Sequence, residues 1–304
     1  MIVLSKIREL DLSAAPAEGR PMHVSAASGL VRINSIIYVI ADDELHLGMF
    51  SAEGRTPGHL VQLFEGELPD SNPDRKRHKP DFEALTLLPA FEDYPHGALL
   101  ALGSGSRRNR RIGALVGLDA CGTLRGSPHV VDLSPLLVPL DDAFPKVNIE
   151  GAIVNGNEVR LFQRGNKRNS ENAIIRFRLS AVLDTLHSAR ASVVKPLTID
   201  LFDLGEVDGI PFCFTDAAAL PGGDMVFTAV AEDTDDAHDN GPCVGAAIGM
   251  ADNSGHLRWL RRLERPCKIE GVDARIDGAV IRLLLVTDAD DASVPAGLLS
   301  AMIG

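Results

Sequence analysis

The sequence predicts an all-β chain, a five-bladed β-propeller of four-stranded antiparallel blades, and three observations predict it. Five lines carry a polar residue at the same point of a short apolar run: Ser28-Gly29-Leu30-Val31, Phe82-Glu83-Ala84-Leu85, Ile149-Glu150-Gly151-Ala152, Phe214-Thr215-Asp216-Ala217 and Ile269-Glu270-Gly271-Val272. Their polar positions (28, 83, 150, 215 and 270) step by 55, 67, 65 and 55, the size of a repeated sheet unit. Each unit holds short β-rich runs separated by turn residues, four to a blade. The last unit is one run short, while residues 2–12 supply one to spare, so the first strand completes the last blade and covers its edge.

In chain order, residues 2–12 alternate apolar and polar, and the Pro/Ala/Gly stretch 14–21 separates them from the first blade, 23–64. Its runs are 29–33, 36–41, 45–50 and 59–64, broken at Asn34-Ser35 and Asp42-Asp43. A polar, basic connection, 70–80, leads to the second blade, 80–133, with runs at 83–88, 98–103, 112–118 and 128–133. The third blade, 148–201, has runs at 149–154, 158–163, 172–179 and 193–201, and its LSAVLDTLHS stretch, 179–188, has the spacing of a short helix. The fourth, 212–263, has 213–220, 224–230, 244–251 and 256–263; the fifth, 268–303, has 268–276, 280–286 and 297–303. The second run of each blade is the most apolar (IIYVI, ALLAL, VRLFQ, MVFTAV, VIRLLLV), as a strand covered on both faces requires. Two β-sandwiches are the alternative, but no linker divides the chain near its middle, so we expect one propeller domain over 1–304.

Composition narrows the function classes. The 304 residues include 42 acidic and 30 basic side chains, a formal net charge of −12, whose field repels the phosphates of nucleic acid and of anionic membranes. No window approaches a membrane span, and MIVLSKIREL lacks the apolar core of a signal peptide, so the expected location is cytoplasmic. Cys121, Cys213, Cys243 and Cys267 form no C-x-x-C pair and are expected to be reduced. The sequence contains no nucleophile motif, phosphate-binding loop, dinucleotide fingerprint or zinc spacing. Trp259, Tyr38 and Tyr94 are too few for a sugar-stacking platform, although axial carboxylates also suit glycosidases.

The first strand of a propeller blade lines the central channel. Ser28, Glu83, Glu150, Thr215 and Glu270 should therefore form a ring at one end of it. Three carboxylates drawn together repel unless protonated or neutralised by a cation, and hard oxygens from separate blades suit Ca²⁺. Channel water and backbone amides are the other partners open to them.

The same five positions resemble those of the calcium-activated nucleotidases (soluble apyrases), five-bladed propellers whose innermost strands offer Ser, Glu, Glu, Ser and Glu to a central calcium. Phe214-Thr215-Asp216 followed by Leu220-Pro221 resembles that family's F-S-D-x-x-x-I-P line. Tyr38 to Asp43 resembles Y-x-V-D-D, and Lys268 to Val272 resembles K-Y-E-G-I. The resemblance implies a central Ca²⁺ and phosphohydrolase activity. Glu44 replaces the family's Arg after the double Asp, and Gln163-Arg164-Gly165-Asn166 replaces its P-R-R line. The lines KPDFEA (79–84) and GSGS (103–106) resemble an uncharacterised bacterial propeller family, which implies no activity.

The loops after the second strands are polar. Blades two and three carry Arg107, Arg108, Arg110, Arg111, Arg164, Lys167 and Arg168, joined by 75–79; blades one, four and five carry Asp42-Asp43-Glu44, 232–236 and 288–291. The expected face is thus half positive and half negative. Its expected substrate-binding residues are Arg107, Arg108, Arg164, Lys167, Arg168, Glu232 and Asp288, with Asp42 and Asp43 as catalytic carboxylates and His78 and His238 as titrating neighbours. Two functions compete: a Ca²⁺-dependent hydrolase of a phosphorylated or other anionic small molecule, and a non-catalytic propeller whose structural ion stiffens a face for a partner protein.

Overall fold

The computed structural model describes residues 1–188, 192–234 and 241–304. Five four-stranded antiparallel sheets succeed one another around an axis as the blades of a propeller. Their innermost strands are Ala27–Ile33, Phe82–Leu88, Ile149–Asn155, Cys213–Ala219 and Ile269–Asp277, and each packs against the innermost strands of both neighbouring blades, so the ring closes. The strand Ser5–Glu9 pairs antiparallel with Gly297–Ile303, with Ser5 opposite Ser300, and becomes the outermost strand of blade five. Six residues of the expected first run lie outside that strand, and the chain is still tied down on either side of it: Ile2 bridges Leu263, and the Leu10 N–H donates to Ala296 O.

The interior consists of five apolar wedges, one at each seam between blades. The strand Glu158–Gln163 shows how alternation builds them: Leu161 fills the seam with blade two, and the next residue, Phe162, fills the seam with blade four. In that second seam Phe214 meets Phe162 and Phe227 edge-on, with centroids 5.2 Å and 5.0 Å apart. Full burial of each such ring contributes about 1.5–3 kcal/mol. Both faces of the second strands are covered, which is why those strands read as unbroken apolar runs.

Three connections differ from expectation. The basic connection before blade two contains a helix, Asn72–His78, with Pro73 near its start and the Ser71 hydroxyl accepting from the Asp74 N–H. The fourth strand of blade two begins earlier than expected, at Leu124, and that of blade three begins later, at Thr198. A two-residue hairpin, Glu206-Val207 with Ile210-Pro211, precedes blade four. The helix in blade three spans Leu179–His187 and turns Val182 and Leu186 inward. All four cysteines are free, and no helix among the described residues is long and apolar enough to cross a membrane.

Candidate functional site

In every blade the register between first and second strands slips at one residue, and those residues are Ser28, Glu83, Glu150, Thr215 and Glu270. The repeated polar residue is a β-bulge five times over. A bulge inserts one unpaired residue and re-aims its side chain, here out of the ladder. The residue after each bulge is where neighbouring innermost strands press together. A Cβ on Gly151 would stand 3.1 Å from the Asp216 Cα, and one on Gly271 3.1 Å from the Gly29 carbonyl carbon, so packing favours glycine after the bulge in blades three and five, while blade two has Ala84. Blade four has Asp216 there instead, and its carboxylate reaches across the seam to accept the Val272 N–H at 2.8 Å.

Four of the bulge residues, Ser28, Glu83, Glu150 and Glu270, line an axial cavity of about 120 Å³. Strand alternation adds the residues two before the bulge (Asp81, Asn148, Cys213 and Lys268) to the same walls. The loops and strand ends beyond the second strands add Asp42, Arg164, Val230, Glu232 and Asp288. Thr215 is fully buried and donates to the Thr228 hydroxyl at 2.8 Å; it is not among the lining residues. At the level of the ring, blade four therefore shows the cavity the Cys213 thiol, with Val230 and Glu232 beyond it, and burial pushes the thiol up to about 11, so it stays protonated.

Arg164 is the hub of one wall. Its guanidinium donates to Glu150 Oε2 at 2.9 Å and to Glu232 Oε2, and stands 3.7 Å from Glu270 Oε1. Asn148 Nδ2 donates to the other Glu150 oxygen at 2.6 Å. Lys268 adds contacts to Asp290 at 2.7 Å, Asp288 at 3.3 Å, Glu232 at 3.5 Å and Glu270 at 3.7 Å. Burial opposes both charges, but the surrounding carboxylates hold Arg164 and Lys268 well above their ordinary values. Glu270 is pushed well above the carboxylate range by burial, and Asp288 up to about 7 by burial and by Asp42 and Asp290.

The opposite wall joins blades one and two. Lys79 bridges Asp42 and Asp81, the latter at 2.9 Å, and Arg110 holds the second Asp81 oxygen at 2.6 Å beside the Ser104 hydroxyl at 2.6 Å. Asp81 sits at φ +59°, in the left-handed region that costs a non-glycine residue strain, which these contacts sustain. The KPDFEA and GSGS lines thus meet at one carboxylate. Lys79 and Arg110 keep Asp81 below the ordinary range against burial. Glu83 beside it has no hydrogen bond or ion pair among the described residues. Burial, then Glu150, Asp81 and Asp42, raise it well above the ordinary carboxylate value. Oxygens of Asp42, Asp81 and Glu83 lie within 4.8 Å of one another.

The lining loops carry the expected signs, with Arg107, Arg110, Arg164 and Lys167 from blades two and three and Asp42, Glu232 and Asp288 from blades one, four and five, but the innermost strands add charges of both signs. Cavity-lining cations (Lys76, Lys79, Arg107, Arg110, Arg164, Lys167, Lys268) equal in number the lining anions (Asp42, Asp81, Glu83, Glu150, Glu232, Glu270, Asp288). Basic loops neutralise acidic loops across the seams, as in Arg164 with Glu232 and Lys167 with Asp233 at 2.6 Å. Arg107 is exposed on the rim; Arg108 and Arg168 are exposed away from the cavity. Arg111 is drawn aside by Asp141 in a two-bond fork at 2.6 Å and 2.9 Å. Asp43 turns from the axis toward Arg20, 3.6 Å away, and burial with Asp42 and Glu44 pushes it up to about 6. His78 is exposed, its ring against Asp74 O; His238 and residues 235–236 lie outside the described residues. Sequence reasoning missed Asp81, Asn148 and Lys268 as site residues, although each stands two positions before a repeated polar residue and so shares its face.

Comparison with solved structures supports the fold. A candidate glycoside hydrolase from Parabacteroides distasonis superposes with a TM-score of 0.50 at 11% identity, covering 99% of this chain and 97% of that one. A bifunctional GH43-CE protein of Bacteroides eggerthii gives 0.50 at 12% identity, over 94% of this chain and 34% of its own. A luciferin-regenerating enzyme gives 0.49 at 10% identity, over 100% and 96%. These identities carry architecture alone. No functionally curated protein matches the sequence. The sequence profile that does match spans residues 23–303, all five blades, and by it the chain belongs to the family described as "Family of unknown function (DUF6929)".

Proposed function

We propose that the chain is a hydrolase of a small anionic molecule, acting at the axial cavity with a divalent cation, Ca²⁺, on the blade-one to blade-two wall. The observation that carries this reading is the trio Asp42, Asp81 and Glu83, three carboxylate oxygens within 4.8 Å at the wall of a cavity whose other side bears Arg164 and Lys268. The donors fit such an ion: all are hard oxygens, from two blades, and Ca²⁺ accepts six to eight of them with loose geometry. Among the described residues no cation contacts Glu83 directly, although Lys79 is near enough to oppose its raised value, and a bound ion would add positive charge there. When bound, the ion would act as a Lewis acid that orients the anionic group and polarises one of its oxygens.

The chain's own residues do the rest. Arg107 on the rim meets an incoming anion first. Arg164, fixed by Glu150 and Glu232, then presents its guanidinium at a set orientation, which limits the entropy lost on binding. Burial and the neighbouring carboxylates of Glu150, Asp81 and Asp42 raise Glu83 well above the ordinary carboxylate value, so its ionised form would need a cation beside it. The cavity is small and polar, so it suits the charged head of a substrate and leaves the remainder outside.

Heat denaturation with and without Ca²⁺ and chelator tests the reading, alongside a hydrolysis screen over phosphate esters and nucleoside diphosphates. Ca²⁺ should raise the melting temperature of the wild type and leave Glu83→Gln unmoved. A wild type indifferent to Ca²⁺ and inert in the screen would remove it. One observation favours the non-catalytic alternative: Lys79 already bridges Asp42 and Asp81, so an internal ammonium neutralises two of the three carboxylates. On that alternative the polar face serves a protein partner.

A further inference from the structure

Outside the axial cavity, buried polar atoms without a hydrogen-bond partner are concentrated in one place. Arg75 Nε and Nη1, Arg20 Nε and Asp43 Oδ1 have no hydrogen-bond partner, His46 Nδ1 has only the Glu44 Oε2 contact at 3.5 Å, and all belong to one cluster on the far side of the Asp42–Glu44 turn. Arg75 is only 6% exposed, and a buried guanidinium with unused donors is costly to maintain. Among the described residues its one ion pair is with Glu44 Oε1 at 3.8 Å, where Arg20 also converges at 2.6 Å. Arg20, Glu44, His46 and Arg75 line a pocket of their own, closed by the residues that follow the fourth strand of blade one.

We propose that this pocket binds the carboxylate head of a small molecule, held by the guanidinium groups of Arg75 and Arg20. A planar carboxylate matches the fork of a guanidinium, and it would satisfy donors that the chain leaves unused. Glu44 positions both arginines and takes up part of their charge, so the site suits a single negative charge. Exposed carboxylates at the mouth, Glu18, Glu67 and Asp70, set the same limit, because they disfavour a dianion such as phosphate. The site is separate from the axial cavity but shares walls with it. Asp42 faces the axis while Asp43 turns to Arg20 and Glu44 lines the pocket, and Lys76 and Lys79 line the axis while Arg75 lines the pocket.

Acetate and inorganic phosphate are titrated separately into the folded protein while backbone amide resonances of residues 43–46 and 72–78 are followed. Acetate should shift them saturably in the wild type and equally in Arg164→Gln, which spares this pocket. Arg75→Gln and Arg20→Gln should each weaken the acetate response by about tenfold, the loss of one charge-assisted hydrogen bond. A dispersed spectrum of each variant shows that it has folded, and either variant suffices if the other does not. The absence of a saturable acetate response in the wild type would overturn the proposal, as would equal binding by both arginine variants or preference for phosphate. Ordered water would then account for the unused donors.

Discussion

Where blades three to five meet the axis, Arg164 and Lys268 each serve several carboxylates, and Glu150, Glu232, Glu270 and Asp288 all stand within reach of a fixed cation. Where blades one and two meet it, Lys79 and Arg110 serve Asp42 and Asp81, and Glu83 has neither. Both walls are built from the same repeated bulge, so the contrast lies in how the neighbouring loops supply charge. Buried ion pairs gain little net stability over apolar packing, but removal of one partner is expensive. The first wall therefore reads as a locked network that fixes the orientation of Arg164. The second carries a carboxylate, Glu83, that Lys79 compensates only from a distance, so a proton or an external cation would settle it.

The largest effect that would test this contrast is expected from Arg164→Ala. It removes the one ion-pair partner of Glu150 among the described residues and leaves Glu232 and Glu270 to Lys268, and a broken buried pair costs about 3–5 kcal/mol. Chemical denaturation measures it. A loss below about 1 kcal/mol, the worth of an exposed pair, would mean the first wall is not locked.

Lys79→Met sharpens the other side. Removal of the ammonium frees Asp42 and Asp81 for an external ion, so Ca²⁺ binding by calorimetry should tighten by about tenfold or more while the ion-free protein becomes less stable. Unchanged or weaker Ca²⁺ binding would mean that Lys79 and the ion do not compete for the trio.

Asp288→Asn should give the smallest effect, visible only as a pH dependence. The folded-state value of Asp288 is raised, to about 7 against an ordinary 3.8. Its contribution to stability is therefore fully present below about 3.8 and is lost as pH rises through about 7. Asparagine cannot ionise, so the variant should gain on the wild type across that window. Parallel curves of stability against pH would remove Asp288 from the titrating groups of the first wall.

The five repeated lines determined the fold and located the axis, because a bulged innermost strand leaves a local mark: a polar residue, then a small one, inside an apolar run. Apolar second strands and the unpaired first strand fixed blade number and closure in the same way, by patterns of period two and by a count of edges. Sequence spacing also placed Glu83, Glu150 and Glu270 at one level, since equivalent residues of equivalent strands share a height. It did not reveal which cation would stand beside which carboxylate. Arg164 and Glu232 are 68 positions apart, Lys79 and Asp42 are 37 apart, and both pairs form across seams between blades. The helix Asn72–His78, which carries Arg75 away from the axis and Lys76 toward it, turned a run read as one basic patch into two walls. Local chemistry writes itself into the chain; the balance of buried charge depends on which loops the closed ring brings together.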